Sequence, residues 1–176
     1  ILCLEPDVML VPYNKNIYYL YMKINIKKHV TMFIVMVIVG MLFNPMNILA
    51  YKFNHLYVST TLFYGGLLMA SNMMWAHEIV HYLSMGHFNS TIFCMGISLS
   101  IIVSILFLRN QTFVTSEQWL KRMIPHHSTA LTTTTKLLEN KNNFKKHPNL
   151  FRLAKDIVYN QKREILFMEN YLKSKI

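Results

Sequence analysis

Two adjacent histidines, a carboxylate, an amide and two thioethers fall within two short stretches near the C-terminus, WLKRMIPHHST at Trp119–Thr129 and QKREILFMENYL at Gln161–Leu172. Imidazole nitrogen and thioether sulfur together make a soft donor set that suits copper, above all Cu(I). Met123 lies three and four residues before His126 and His127, and Met168 lies four after Glu164. On helices that spacing sets each sulfur one turn from another donor. Gln161, one turn before Glu164, adds an amide to the same row.

The elements that would carry these donors are two amphipathic helices. Thr115 followed by Gln118 is a capping-box start for a helix running to about Glu139, Asn140–Pro148 is a polar loop, and Pro148 suits the first turn of a second helix ending near Lys173. At about 100° per residue, Trp119, Met123, His127, Ala130, Thr134 and Leu137 share one face of the first helix, with His126 at its edge. Leu150, Ile157, Gln161, Ile165, Met168 and Leu172 form the stripe of the second, with Glu164 inside its margin. A carboxylate on a buried stripe must be paired, hydrogen-bonded or bound to a cation. Pairing with His126 or His127 is the purely structural solution, and Met123 and Met168 would then be ordinary core filler. Pro125 removes a backbone donor just before the histidines, which predicts a kink that turns His126 inward.

Composition points to a lipid bilayer as the main partner of the rest of the chain. Hydrophobic residues make up 53% of 176, and the mean hydropathy is +0.26, both high for a soluble domain. Three runs without Lys, Arg, Asp or Glu account for the excess: Val30–Ala50, Leu56–Ala76 and Thr91–Leu108. Each is near the roughly 20 residues a helix needs to cross about 30 Å of hydrocarbon, and isolated spans in lipid must be helical. The chain is therefore expected to be all-α, with three transmembrane helices at 30–108 and a two-helix hairpin at 109–176. Asn44-Pro45 predicts a kink in the first run, and Gly65-Gly66 predicts close helix approach in the second. Residues 1–29 read as an N-terminal tail in which 1–21 precede a natural start at Met22-Lys23. Lys23, Lys27 and Lys28 before the first run, against Lys52 after it, place the N-terminus in the cytoplasm and the hairpin in periplasm, lumen or exterior.

The net charge of +10 does not imply nucleic acid. Residues 109–176 hold 13 Lys/Arg against 5 Asp/Glu, but these cations spread over outer helix faces without a basic-aromatic groove. A solvated basic face that also meets anionic headgroups accounts for them. Cys3 and Cys94 offer no disulfide framework and no cysteine metal site.

MIPHH at Met123–His127 and LAKDIVYNQKREILFM at Leu153–Met168 resemble the DUF305 family of ferritin-like helical proteins, some of which bind copper in the periplasm. Three apolar runs ending in FLRNQTFV at Phe107–Val114 are similar to the membrane-anchored bacterial members, so the resemblance covers roughly residues 22–176. It implies a metal site at Met123, His126, His127, Gln161, Glu164 and Met168, with copper as the cofactor and no catalytic residue. Because one hairpin supplies two helices, a homodimer is expected to complete a four-helix bundle. The chain departs from the family pattern at Ser116, where an acidic residue is usual, at Leu120 in place of a Met, and at Thr133 within a TTTT run. Fewer donors predict weaker or altered metal binding.

A rival motif lies at His77-Glu78-Ile79-Val80-His81, which matches H-E-x-x-H, two imidazoles one turn apart with a glutamate as general base for a zinc-bound water. No span supplies an Asp as a third ligand, so a metalloprotease is the weaker reading. An accessory metal-entry site of His77, His81, Met85 and His87 is favoured over it. Three function classes stand: a membrane-tethered copper-binding protein for buffering, resistance or delivery; a metal-free structural or assembly protein; and a zinc metalloprotease.

Overall fold

The computed structural model describes residues 15–174 except 87, 141–143 and 145–146, with side chains described from residue 27 onward. Every regular element among the described residues is helical. Helix α1 (Lys15–Leu42) is followed by a single turn, α2 (Pro45–Ile48), a 3-10 turn (Phe53–His55), α3 (Thr60–Met85) and α4 (Ser90–Ile102). The α4 rod continues as a π-helical segment, Val103–Arg109, before the hairpin of α5 (Ser116–Glu139) and α6 (Pro148–Ser174).

Local chemistry explains the boundaries. The break near Asn44-Pro45 is a full stop: α1 ends at Leu42, and the Asn44 side chain accepts the Asn47 N–H as the N-cap of α2. Helix α1 also begins at Lys15, inside the stretch expected to be tail. Ser59 caps α3 by accepting the Leu62 N–H, and Gly86 ends it with a φ of +70°, the left-handed conformation that suits glycine. Thr115 caps α5 by accepting the Gln118 N–H at 3.4 Å. Only half of the expected capping box forms, because the Gln118 Oε1 accepts the Thr60 N–H at 2.8 Å.

Helices α1, α3 and α4 form an antiparallel layer with α3 in the middle. A Cβ at Gly66 would lie 2.9 Å from both the Val37 carbonyl oxygen and Met41 Cγ. Of the glycine pair, then, Gly66 permits the close approach, while Gly65 faces open space. On the other flank a Cβ at Gly96 would meet the Trp75 backbone nitrogen at 2.9 Å, and Ser100 Oγ donates to Ser71 Oγ at 3.0 Å. Two segments are long and apolar enough to cross a membrane by length and composition, Lys27–Ile48 and Ser90–Arg109. The third expected span is differently bounded and less apolar: α3 starts four residues after Leu56, runs on through His81, and carries Ser71, Asn72 and Glu78. Covered on two flanks, α3 buries Ser71 and Glu78 against its neighbours, while Asn72 is exposed.

In the hairpin, Leu120, Ile124 and Leu131 of α5 pack against Ile165, Met168 and Leu172 of α6, with Tyr57, Met123 and Val158 at the margin. The expected stripe of α6 holds apart from Leu150, which is 46% exposed. That of α5 is displaced by one position: Leu120 and Ile124 are buried, while Trp119 and Leu137 stand out in solvent. The cause is a second neighbour, since α5 is also covered by α2 and the 3-10 turn, so its buried face is centred between two partners.

Candidate metal centre in the helical hairpin

The displaced face of α5 leaves His127 at the edge of the core, and α6 brings Glu164 opposite it. His127 Nε2 lies 2.9 Å from Glu164 Oε2, and Nδ1 lies 2.8 Å from the Met123 carbonyl oxygen one turn earlier. A carbonyl only accepts, so Nδ1 carries a proton and donates it. Nε2 is left to hold either a second proton shared with Glu164 or a cation in its place. Fixing one ring nitrogen on a backbone carbonyl is also how metal-binding histidines are oriented.

Magnitudes separate this pair from the packing. Glu164 is 45% exposed, and an ion pair that open to water contributes about 0–1 kcal/mol. Each of the six buried core side chains contributes roughly 1.5–3 kcal/mol. The core holds the hairpin together, and the His127–Glu164 pair is not needed for that.

Around the pair is an open cleft of about 580 Å³ lined by Trp119, Met123, His127, Glu164, Phe167 and Met168 among others. Of the six expected ligands the structure thus gathers His127, Glu164, Met123 and Met168. His126 is exposed; its ring is edge-on to His127 with centroids 5.8 Å apart, and it lines no part of the cleft. Pro125 is buried within a continuous α5 and does not turn His126 inward. Gln161 is half-buried one turn before Glu164 and also lies outside the cleft lining. Arg163 lines the cleft as well, a cationic neighbour the sequence pattern did not suggest. Among the described residues, no cluster of three or more His, Cys, Asp or Glu is placed to hold a metal ion. A soft ion here would have to rely on one imidazole, one carboxylate and sulfur.

A second polar cluster escaped the sequence reading. Ser128, fully buried on α5, accepts the Tyr51 N–H at 2.6 Å and lies 2.9 Å from His55 Nδ1. Donating its single proton to Nδ1 satisfies the hydroxyl and sets His55 as the Nε2–H tautomer, which faces Glu169 Oε1 at 3.7 Å. Burial pushes the His55 pKa below its ordinary value, with Lys52 acting in the same direction and Glu169 opposing. Burial likewise raises the Tyr57 phenol, helped by Glu169, and lowers the Arg122 guanidinium. Ser, His and Glu here do not make a nucleophilic triad, because Ser128 has no exposed surface. They fasten the 51–57 loop to the hairpin. The one available signal was a serine between Ile124 and Leu131 on an apolar face, which requires a partner.

The HEIVH motif occupies the last turns of α3. Glu78 is buried, and its Oε2 accepts the Asn89 N–H at 3.1 Å at the start of α4. A glutamate engaged in joining two helices is not placed as a general base. His77 and His81 stack with centroids 6.0 Å apart. His87 lies outside the described residues.

Residues 108–172, the hairpin with the turn that precedes it, match the family described as "Domain of unknown function (DUF305)". The chain is also 32% identical over 130 residues to "Uncharacterized protein L153" of Acanthamoeba polyphaga mimivirus, covering 73% of this chain and 81% of that protein. The chain belongs to the DUF305 family. Because the alignment with the viral protein is longer than the DUF305 segment, the likeness reaches into the preceding helices. No solved structure matches. Within the DUF305 segment lie all six expected ligands, together with the Ser128 and Glu169 that anchor the loop.

Proposed function

We propose that this DUF305 protein is a membrane-anchored metal-binding protein whose hairpin cleft holds copper for buffering, resistance or delivery on the extracytoplasmic side. The carrying observation is the His127–Glu164 contact at 2.9 Å in a cleft that Met123 and Met168 also line. The donors fit a soft ion: His127 Nε2 and Glu164 would hold it, the two thioethers would favour Cu(I) over harder cations, and His126 stands beside them. Bound copper would supply reversible one-electron chemistry, and the protein's part is to bind and shield it. Anchoring is supported by the two apolar segments, of which only 11% and 17% is buried within the chain, unlike the core helix of a soluble protein. With α3 between them the layer would cross a bilayer three times, and Lys23, Lys27 and Lys28, ahead of the first apolar run, favour a cytoplasmic N-terminus. Trp119 and Phe167, 51% and 71% exposed at the cleft rim, are where a second hairpin would complete a four-helix bundle.

The test is copper titration of the detergent-solubilised full chain by competition with a chromophoric chelator, under reducing and oxidising conditions. The unmodified protein is expected to retain copper. His127→Ala should weaken binding by roughly tenfold or more and His126→Ala by less, with Met123→Leu and Met168→Leu costing more for Cu(I) than for Cu(II).

A metal-free structural or assembly role is the second reading. It is favoured by the direct His127–Glu164 contact, which satisfies both groups without an ion. Absence of copper under both conditions would argue for it. The zinc protease reading requires proteolysis that Glu78→Gln abolishes.

A further inference from the structure

We propose that His77 and His81 form a second metal site, for an imidazole-seeking divalent first-row ion, at the end of α3 remote from the hairpin. Two imidazoles four residues apart on one helix face can chelate a single ion. The two rings are stacked with an interplanar angle of 26°, not splayed to opposite sides of the helix. The His77 side chain is 47% exposed, so the rest of the chain does not cover it.

Glu78 supplies the second, independent observation. Its Oε2 is held by the Asn89 N–H, and its Oε1 lies 3.7 Å from His77 Nδ1. At 3.7 Å the contact is electrostatic and not a hydrogen bond, but a buried carboxylate facing Nδ1 favours the tautomer protonated there, which leaves Nε2 to coordinate. Glu78 is therefore a positioning residue in the H-E-x-x-H pattern, not its base. Met85, one further turn along the same face and exposed, adds a sulfur within the row. Water completes the coordination.

The site is separate from the hairpin cleft. Thr60 at the start of α3 is bonded to Gln118 of α5, and the 22 residues from Thr60 to His81 extend about 30 Å along a helix. Ion binding at this end of α3 is independent of copper binding in the hairpin.

Zn2+ is the probe, added to the full chain in detergent micelles and followed by calorimetric titration. The unmodified chain should bind one equivalent that His127→Ala leaves intact. His77→Ala and His81→Ala should each weaken that equivalent by roughly tenfold or more. Glu78→Gln, which keeps an acceptor for Asn89 but removes the charge, should weaken it with helix content unchanged by circular dichroism. The decisive variant moves one imidazole to the far side of the helix, combining His81→Ala with Ile79→His, so that the histidine count is kept and, two residues from His77, the shared face is lost. Loss of the equivalent in that variant supports the site. Undiminished binding there, or in His77→Ala, overturns it, and so does loss of the equivalent in His127→Ala alone.

Discussion

His127 and His55 show how one residue type takes opposite roles around α5. His127 keeps a nitrogen at an open cleft beside a half-exposed carboxylate, whereas His55 is buried against Ser128 and held neutral. Because the folded-state pKa of His55 is depressed, the unfolded chain takes up the proton first as pH falls. Stability from this contact is full above the ordinary histidine value of about 6.5 and is lost as pH falls through that value toward the lower folded one. The melting temperature is expected to drop between pH 7.5 and 5.5, and His55→Gln should flatten that part of the profile. Glu169→Gln should steepen it, since Glu169 is the group that pulls the His55 pKa upward. An unchanged profile in both variants would remove His55 as the cause.

At the level of elements, the two helix pairings of the layer rest on close backbone approach. Gly66 sits 2.9 Å, measured from where a Cβ would stand, from a carbonyl that cannot retreat without moving α1. Gly66→Ala should therefore cost about 1–3 kcal/mol by overpacking, read as an earlier midpoint in denaturant titration of the micellar protein. Gly65→Ala, into open space, is the matched control and should be neutral or slightly stabilising through helix propensity. The one-position displacement of the α5 face belongs here too. Periodicity counts Ser128 as polar and so rotates the stripe toward Trp119 and Leu137, whereas the 51–57 loop buries Ser128 by bonding it.

For the molecule as a whole, the hairpin has one side closed and one open. The 51–57 loop and α2 cover the side bearing Ser128 and Thr129, the latter donating to the Met46 carbonyl at 3.1 Å. Trp119 and Phe167 remain exposed on the other. If two copies pair through that open side, the micellar protein should run as a dimer by light scattering. Trp119→Glu with Phe167→Glu should convert it to monomer while leaving the helix content unchanged. A monomeric unmodified chain would separate the cleft from any bundle-completing role.

What could be read from residue order was what depends on near neighbours. Thr115 and Pro148 marked the hairpin helices to within a residue or two, and apolar runs marked the elements of the layer. Met123 with His127, and Glu164 with Met168, could be paired because donors one turn apart share a face of their own helix, whereas the packing of α5 on α6 brought the two pairs to one cleft. Rotation of α5 about its axis, the outward position of His126, the capture of Glu78 by Asn89 and the burial of His55 were settled by contacts between residues far apart in the chain. A side chain's exposure and protonation depend on which surfaces close over it, and that closure is a property of the packed assembly of helices, which no single helical stretch encodes.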